Sequence, residues 1–319
     1  MTIRPAPALP VLDAAATEAA LPFSRLIPAL RELFITGCEV PPRHTHTLRF
    51  GDQPPLTSLL MPAWQPGGYY AVKIVNIAPG NAARGLPGLH ASLLLHDAST
   101  GVPLALMDGD QVTARRTAAA SALAASYLAR PDASHLLVLG AGRVAALLPE
   151  AYREVRNLTR VTVWARKLKA AQALADHLCE QGFNALAAAE LGPAVASADI
   201  VSCATLSTTP LVQGRWLQPG SHLDLIGGFT PGMREADDDC FVDASLFVDT
   251  EEALAKSGDL LSPMHQGLFT VADVRAQLHE LCRGTHPGRS NATERTVFKS
   301  VGTALEDLAA AMLAMLSVK

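Results

Sequence analysis

The stretch His135-Leu136-Leu137-Val138-Leu139-Gly140-Ala141-Gly142-Arg143-Val144-Ala145 combines an apolar strand, a Gly-x-Gly turn and the start of a helix. This order is typical of a dinucleotide-binding βα unit. Gly140 permits a tight turn, Gly142 lets the backbone approach a pyrophosphate, and Ala145 lets the helix pack closely on the strand. The N-terminus of the helix then faces the phosphates. The stretch therefore predicts a nicotinamide or flavin nucleotide site, the alternative being a glycine-rich turn that only closes a βα loop.

A second apolar strand, Val161–Trp164, ends at Ala165-Arg166-Lys167. An NAD-specific site places an acid here, which accepts a hydrogen bond from the ribose 2′-hydroxyl. Two cations stand here instead, and a guanidinium can bind a 2′-phosphate through two hydrogen bonds. We therefore expect NADP(H) as the preferred cofactor, with NAD(H) as the alternative. A solvated loop would explain the two charges but not the missing acid.

The composition excludes several classes of protein. The net charge of −4 without a basic run argues against nucleic acid as a partner, and no apolar run is long enough to span a membrane. The start, residues 1–10, is rich in proline and lacks the apolar core of a signal peptide. Five cysteines without paired spacing predict reduced thiols in the cytoplasm and no disulfide or metal site; they are Cys38, Cys179, Cys203, Cys240 and Cys282.

The chain changes its pattern at His135, where strands begin to alternate with helices, which predicts a doubly wound parallel sheet. Its strands are predicted at residues 135–140, 161–165, 199–203, 221–226 and 246–249. The residues before it predict a helix capped at about Ser24, a mostly antiparallel sheet and a long helix from about Thr113. The sheet strands are predicted at residues 56–61, 69–77, 90–96 and 102–107. A final apolar helix, residues 302–316, is expected to return and cover that first sheet.

Four stretches resemble the ornithine cyclodeaminase/mu-crystallin family and together span almost the whole chain. They are Lys73-Ile74-Val75-Asn76 with Gly85-Leu86-Pro87, Met107-Asp108-Gly109 with Thr113–Ala119, the turn Gly140–Ala145, and Thr296–Gly302 running into Glu306-Asp307. The resemblance implies an α/β chain in two domains. An α+β substrate-binding and dimerisation domain is expected from both chain ends, residues 1–115 and 301–319, and a Rossmann-type NADP-binding domain from residues 116–300. It also implies a homodimer that acts on a small imino or amino acid.

The resemblance also implies which cations bind the substrate carboxylate: Arg43, Lys73 and Arg116, of which Lys73 and Arg116 are the candidate catalytic residues. Lys73 lies in an apolar strand, so we expect it to be buried with a partner or a function. We place Arg116 at the start of the long helix, where the helix N-terminus adds to its charge. For Arg43, a charge in a surface loop is the alternative.

The cofactor residues follow from the same resemblance. They are Thr117, Gly140, Ala141, Gly142, Arg143, Val144, Ala165, Arg166, Lys167, Thr205, Leu206, Ile226 and Ser300. Val144 departs from the pattern, because many members have glutamine there. Thr205 and Ser300 have an alternative role as loop hydroxyls that cap a turn.

Phe229 is the most informative departure from the family. The cyclodeaminases of the family carry an aspartate at this place after a glycine pair, whereas this chain has Gly227-Gly228-Phe229. A phenyl ring cannot transfer a proton, and the pattern resembles the branch that reduces Δ1-pyrroline-2-carboxylate. An alternative is that Phe229 is a core residue and Asp224 supplies the acid. Glu252, which follows a strand, is expected to start a helix, where acids are favoured.

We therefore predict an NADPH-dependent reductase that converts Δ1-pyrroline-2-carboxylate to L-proline, and its six-membered homologue Δ1-piperideine-2-carboxylate to L-pipecolate. One alternative is a different enzyme: an ornithine cyclodeaminase that uses NAD, or an enzyme like alanine dehydrogenase. The other alternative is a crystallin-like protein that binds NADPH without catalysis.

Overall fold

The structure, a computed structural model, describes residues 8–51 and 53–317. The chain divides into two compact units, Met1–Arg116 with Thr303–Lys319 and Thr117–Gly302. Residues 1–7 of the proline-rich start, and the last two residues of the predicted domain that ends at 319, lie outside the described residues. Within the described ranges, no helix is both long and apolar enough to cross a membrane.

The unit boundaries fall after Arg116 and Gly302, where we predicted residues 115 and 300. Arg116 belongs to the first unit because its guanidinium pairs with two carboxylates of that unit. Val301 and Gly302 belong to the second unit because both of their backbone N–H groups donate to Asp249. The roles of the two domains in binding substrate and cofactor remain predictions.

The strands of the second unit alternate with helices. In chain order the strands are β1 (Val11–Leu12), β2 (His44–Leu48), β3 (Leu56–Trp64), β4 (Tyr69–Ile77), β5 (Leu89–Asp97), β6 (Pro103–Asp108), β7 (His135–Leu139), β8 (Arg160–Trp164), β9 (Ala185–Ala187), β10 (Ile200–Cys203), β11 (His222–Leu225), β12 (Ala244–Val248), β13 (Val274–Gln277) and β14 (Arg295–Lys299). The helices are α1 (Ala14–Ala20), α2 (Phe23–Thr36), α3 (Gly109–Leu128), α4 (Arg143–Arg153), α5 (Leu168–Glu180), α6 (Leu191–Ser197), α7 (Glu252–Lys256), α8 (Gly258–His265), α9 (Leu278–Arg283) and α10 (Ala304–Met315).

The sheet of the first unit has the strand order β1-β6-β5-β4-β3-β2. Its pairs are antiparallel except for β1 with β6, as the mostly antiparallel prediction requires. Helix α10 packs on β3 and β4, which confirms that the final helix covers this sheet. The predicted start of α2 is wrong by about two residues: Pro22 is its N-cap, and Ser24 lies in its first turn. Proline suits this place because it has no N–H to satisfy.

The sheet of the second unit is parallel throughout, with the order β13-β12-β14-β11-β10-β7-β8-β9. This confirms the predicted doubly wound parallel sheet. The order reverses between β7 and β10, and such a switch point opens a crevice at the carboxyl ends of the strands. The loops after β7, β8, β10, β11 and β14 meet this edge, and they carry most of the predicted cofactor residues.

Candidate functional site

The turn after β7 has the geometry that a pyrophosphate site needs. Gly140 has a φ of +116°, and a Cβ there would lie 2.5 Å from the backbone oxygen of Ala204. A Cβ on Gly142 would meet nothing within 4 Å, so this side of the turn is open. Gly142 is the N-cap of α4, whose first turn has no side-chain cap, and Ala145 is fully buried against the strand. Open N–H groups at a helix N-terminus fit an anion.

The turn after β8 leaves two cations in solvent. Arg166 and Lys167 are exposed, and Lys167 is the N-cap of α5. Neither side chain forms an ion pair within the described part of the chain, and no carboxylate follows the strand. The pair can therefore accept an anionic group, which fits the predicted 2′-phosphate end of a dinucleotide.

The loop after β10 is held by hydrogen bonds to Glu235, a residue that was not among the predicted site residues. The backbone N–H and the hydroxyl of Thr205 donate to Glu235 Oε1 at 2.6 and 2.8 Å. Leu206, the next residue, is 77% exposed. The Thr205 hydroxyl is thus engaged within the loop, as the turn-capping alternative expects, while Leu206 presents an apolar surface.

The loop after β11 approaches the same glutamate. Gly227 N donates to Glu235 Oε2 at 2.6 Å, and Ile226, just before it, is half-buried. Phe229 is 37% exposed, so the alternative in which it is a core residue is wrong. No carboxylate occupies position 229, and the loop presents an apolar ring instead.

Asp224 cannot replace the missing acid without losing a buried network. It is fully buried and accepts hydrogen bonds from the hydroxyls of Ser121 (3.2 Å), Tyr152 (2.9 Å) and Ser202 (2.5 Å). Burial raises its pKa, and these three hydrogen bonds oppose the rise. The carboxylate is directed at the α3 and α4 side of the sheet, where it joins helices to strands.

Lys73 and Arg116 are brought together in the first unit by two carboxylates of α10. Lys73 Nζ donates to Asp307 Oδ1 at 2.7 Å, and Arg116 Nε lies 3.1 Å from the same oxygen. The other carboxylate, Glu306, binds Arg116 Nη1. All four side chains are buried. Burial lowers the pKa of Lys73 to about 8, an effect that Asp307 opposes and Arg116 reinforces.

The expectation that Arg116 gains from a helix N-terminus is wrong. Helix α3 begins at Gly109 because Asp108 Oδ1 accepts the N–H of Gln111 at 2.8 Å, as an N-cap does. Arg116 therefore lies two turns into the helix, where the macrodipole contributes little. Its charge is balanced by Glu306 instead.

Arg43 lies directly before β2, at the edge of the first sheet, and is half-buried. Strand β2 pairs with β3 from His44, which lies opposite Leu60; extended by one residue, this register places Arg43 level with Met61, which pairs with Lys73. Two strand spacings, about 10 Å, then separate the backbones of Arg43 and Lys73. The sheet thus brings Arg43 into the row of Lys73 without direct pairing.

The remaining predicted residues are less informative. Ser300 is buried after β14, and Thr117 is half-buried within α3. Glu252 starts α7, as expected, and pairs with Lys256. Among the described residues, no group of histidine, cysteine, aspartate and glutamate side chains is arranged to hold a metal ion.

Sequence reasoning assigned no role to the acids that pair with Lys73 and Arg116, or to Glu235, which joins the loops after β10 and β11. Glu306 and Asp307 lie in the first turn of α10, a helix whose other residues are almost all apolar and buried. Adjacent acids in such a helix are a signal for buried cationic partners, because a buried carboxylate is rarely unpaired. Lys299 gives the same signal at the end of the apolar strand β14. Nothing in the spacing around Glu235 indicates its role.

Comparisons with known proteins agree with this geometry and confirm the resemblance. The profile of the ornithine cyclodeaminase/mu-crystallin family matches residues 32–317. The Δ1-pyrroline-2-carboxylate reductase of Paracoccus denitrificans is 43% identical over 254 residues, 79% of this chain and 80% of the relative. The ketimine reductase mu-crystallin of Rattus norvegicus is 37% identical over 256 residues, 80% and 78% of the two chains.

A solved structure extends the similarity to the complete fold. The Thermococcus litoralis Δ1-pyrroline-2-carboxylate reductase in complex with NADH and L-proline has a TM-score of 0.91 and 33% identity to this chain, and 97% of each chain is covered. Together with the matching profile, this shows that the chain belongs to the ornithine cyclodeaminase/mu-crystallin family.

Proposed function

We propose that this protein is an NADPH-dependent reductase of cyclic ketimines, which converts Δ1-pyrroline-2-carboxylate to L-proline and its six-membered homologue to L-pipecolate. It is an oxidoreductase of its family, whose named relatives include Δ1-pyrroline-2-carboxylate reductases and a ketimine reductase. The observation that carries the proposal is the exposed phenyl ring of Phe229, where cyclodeaminase chemistry needs a carboxylate. Asp224 is held by three hydroxyls and does not replace it.

Lys73 and Arg116 bind the substrate carboxylate in this proposal. The ammonium group of Lys73 has three N–H donors, and Asp307 accepts a hydrogen bond from one of them. The donors that remain can bind a substrate carboxylate beside Arg116. Arg43, in the same row of the sheet, is the third cation.

Reduction of the imine requires a hydride at carbon and a proton at nitrogen. When bound, a reduced nicotinamide would supply the hydride to the imine carbon, which becomes the α-carbon of the amino acid. Lys73 Nζ holds the proton for the imine nitrogen, because a pKa of about 8 keeps it protonated at neutral pH yet able to release it. Water is the alternative donor.

The preference for NADPH rests on Arg166 and Lys167. Both are exposed and without an ion pair among the described residues, and no acid is present to repel a 2′-phosphate. Gly140, Ala141, Gly142 and the start of α4 take the pyrophosphate. The loops that carry Thr205, Leu206, Ile226 and Ser300 take the nicotinamide end.

We also propose that the enzyme is a cytoplasmic homodimer. All five cysteines are free thiols, which suits a reducing compartment. Ile74 on β4, in the interior of its sheet, is 37% exposed, which favours a partner that covers this face. Light scattering of the purified protein tests the dimer.

The deciding experiment measures the loss of NADPH absorbance with Δ1-pyrroline-2-carboxylate as substrate, and the same loss with NADH. A parallel assay measures the release of ammonia from ornithine with NAD. Turnover that prefers NADPH supports the proposal. Ammonia release without imine reduction would overturn it. Arg116→Ala should abolish turnover, with Arg115→Ala as the matched control. Arg115 is the preceding buried residue of α3, and its guanidinium binds Leu21 O outside the cluster.

A further inference from the structure

We propose that Glu235 is a positioning residue for the coenzyme, which holds the loops after β10 and β11 in the geometry that binds the nicotinamide end of a dinucleotide. The inference rests on the proposed function, because it requires that these loops contact a dinucleotide. Glu235 is fully buried in the second unit and lies outside the predicted site residues. Three observations carry the proposal.

The first observation is that one carboxylate joins two loops. Glu235 Oε1 accepts both the N–H and the hydroxyl of Thr205, and Oε2 accepts the N–H of Gly227 at 2.6 Å. Thr205 follows β10 by two residues, and Gly227 follows β11 by two residues. Both N–H groups need an acceptor beyond the ends of their strands, and Glu235 supplies it for both.

The second observation is steric. A Cβ on Gly227 would lie 1.9 Å from Thr205 O and 2.5 Å from Glu235 Oε1. The two loops therefore touch at Gly227 with no room for a side chain. A Cβ on Gly228 would lie 2.1 Å from Asp259 Oδ2. The bend after β11 packs directly against the carboxylates of Glu235 and Asp259, so a small movement of Glu235 must move the bend.

The third observation is that Glu235 is itself held in place. Asp259 Oδ1 accepts the backbone N–H of Glu235 at 2.7 Å and that of Ala236 at 3.1 Å. Lys299 Nζ, at the end of β14, lies 3.3 Å from Asp259 Oδ2. Asp259 and Lys299 are fully buried. The pair thereby connects β14, just before Ser300, to the same loops.

Glu235→Gln is the decisive variant, because it keeps the shape and replaces one accepting oxygen with an NH₂ group. That group then faces an N–H donor, which leaves a buried donor without an acceptor. We expect the Kd for NADPH to rise about tenfold, and the Kd for NADH to rise by the same factor. An equal factor follows because Glu235 fixes the nicotinamide end, while Arg166 and Lys167 select the 2′-phosphate. Both Kd values are read from coenzyme fluorescence without turnover.

Asp199→Asn is the matched control. Asp199 also accepts two backbone N–H groups, those of Ser134 and His135, but at the amino ends of the strands. We expect it to lower the unfolding temperature and leave both Kd values unchanged. If Glu235 has only a folding role, Glu235→Gln will behave in the same way, and the proposal is overturned.

Thr205→Val decides the question if Glu235→Gln does not fold, because it removes the hydroxyl that donates to Glu235 and accepts the N–H of Ser207. A rise in Kd for both coenzymes supports the proposal, and wild-type Kd values in this folded variant overturn it. The proposed function fails separately. A wild-type protein that binds NADPH but reduces no imine refutes that function and leaves the loop test intact, whereas one that binds neither coenzyme refutes both.

Discussion

Asp307→Asn removes one charge from the buried cluster of the first unit and nearly preserves its shape. Asp307 Oδ1 contacts both Lys73 Nζ (2.7 Å) and Arg116 Nε (3.1 Å). The variant leaves Glu306 with Arg116 and leaves Lys73 without its carboxylate. The unpaired ammonium must then remain charged in an apolar environment or release its proton.

The magnitude follows from the burial of the pair. Removing one partner of a buried ion pair costs about 3–5 kcal/mol, because a charge is left uncompensated. Release of the proton limits this loss, since burial already lowers the pKa of Lys73 to about 8 from 10.5. Between pH values of about 8 and 10.5, the unfolded chain binds more protons than the folded chain. The free energy of unfolding of the wild type therefore rises as the pH rises through this range. We expect Asp307→Asn to lose about 3 kcal/mol at about pH 7 and less at about pH 9.5, where folded Lys73 is neutral.

Urea unfolding at both pH values measures the effect, in a double-mutant cycle with Lys73→Met. The double variant should be more stable than Asp307→Asn alone, because no charge is left unpaired. Glu18→Gln is the control: Glu18 is 57% exposed, pairs with buried Arg115 at 3.6 Å, and should cost less than about 1 kcal/mol. A loss for Asp307→Asn that is equal at both pH values, or no larger than that of the control, would refute the reasoning.

Three further predictions concern the second unit. The double variant Arg166→Ala with Lys167→Ala should raise the KM for NADPH roughly thirtyfold, which is about 2 kcal/mol for two exposed charged contacts. The KM for NADH should not change. Equal changes in the two KM values would contradict the proposal that these cations bind the 2′-phosphate. Gly140→Ala should cost about 2 kcal/mol or more in urea unfolding, because φ is +116° and the Cβ would meet a backbone oxygen at 2.5 Å. Gly142→Ala, into open space, should cost less than about 1 kcal/mol. Burial raises the pKa of Glu235 from 4.5 to about 7, so the folded chain binds more protons in this window. The free energy of unfolding should therefore fall by about 3 kcal/mol as the pH rises from about 4.5 to about 7. In Glu235→Gln, urea unfolding at a series of pH values should show a smaller fall.

The parallel sheet could be predicted from the sequence because its signals are local. The apolar strand, the glycine turn and the helix that follow one another around Gly140 need only neighbouring residues to be recognised. Strand β2 was missed because His44-Thr45-His46-Thr47 is polar on both faces, so no buried face reveals it. The insertion of β14 between β12 and β11 is a long-range pairing that no local pattern encodes.

The error over Arg116 was avoidable, whereas the ion pairs were harder to predict. Asp108 is a good N-cap, and reading it as one starts α3 at Gly109 and removes the dipole argument. The partners of Lys73 and Arg116 come from the last helix of the chain. Spacing cannot pair residues so far apart, although Glu306 and Asp307 in an apolar helix do show that cations must be near.

The two candidate binding regions use cations in physically different ways. In the first unit, the charges of Lys73 and Arg116 are balanced by two carboxylates at full burial, so the cluster presents little net field. A substrate carboxylate bound there must be recognised through directed hydrogen bonds at short range. Arg166 and Lys167 are exposed and form no ion pair among the described residues, so in the proposed function they attract the 2′-phosphate through a field that salt screens. In the proposed function, selection of the substrate is therefore a matter of geometry, whereas selection of the coenzyme is a matter of charge.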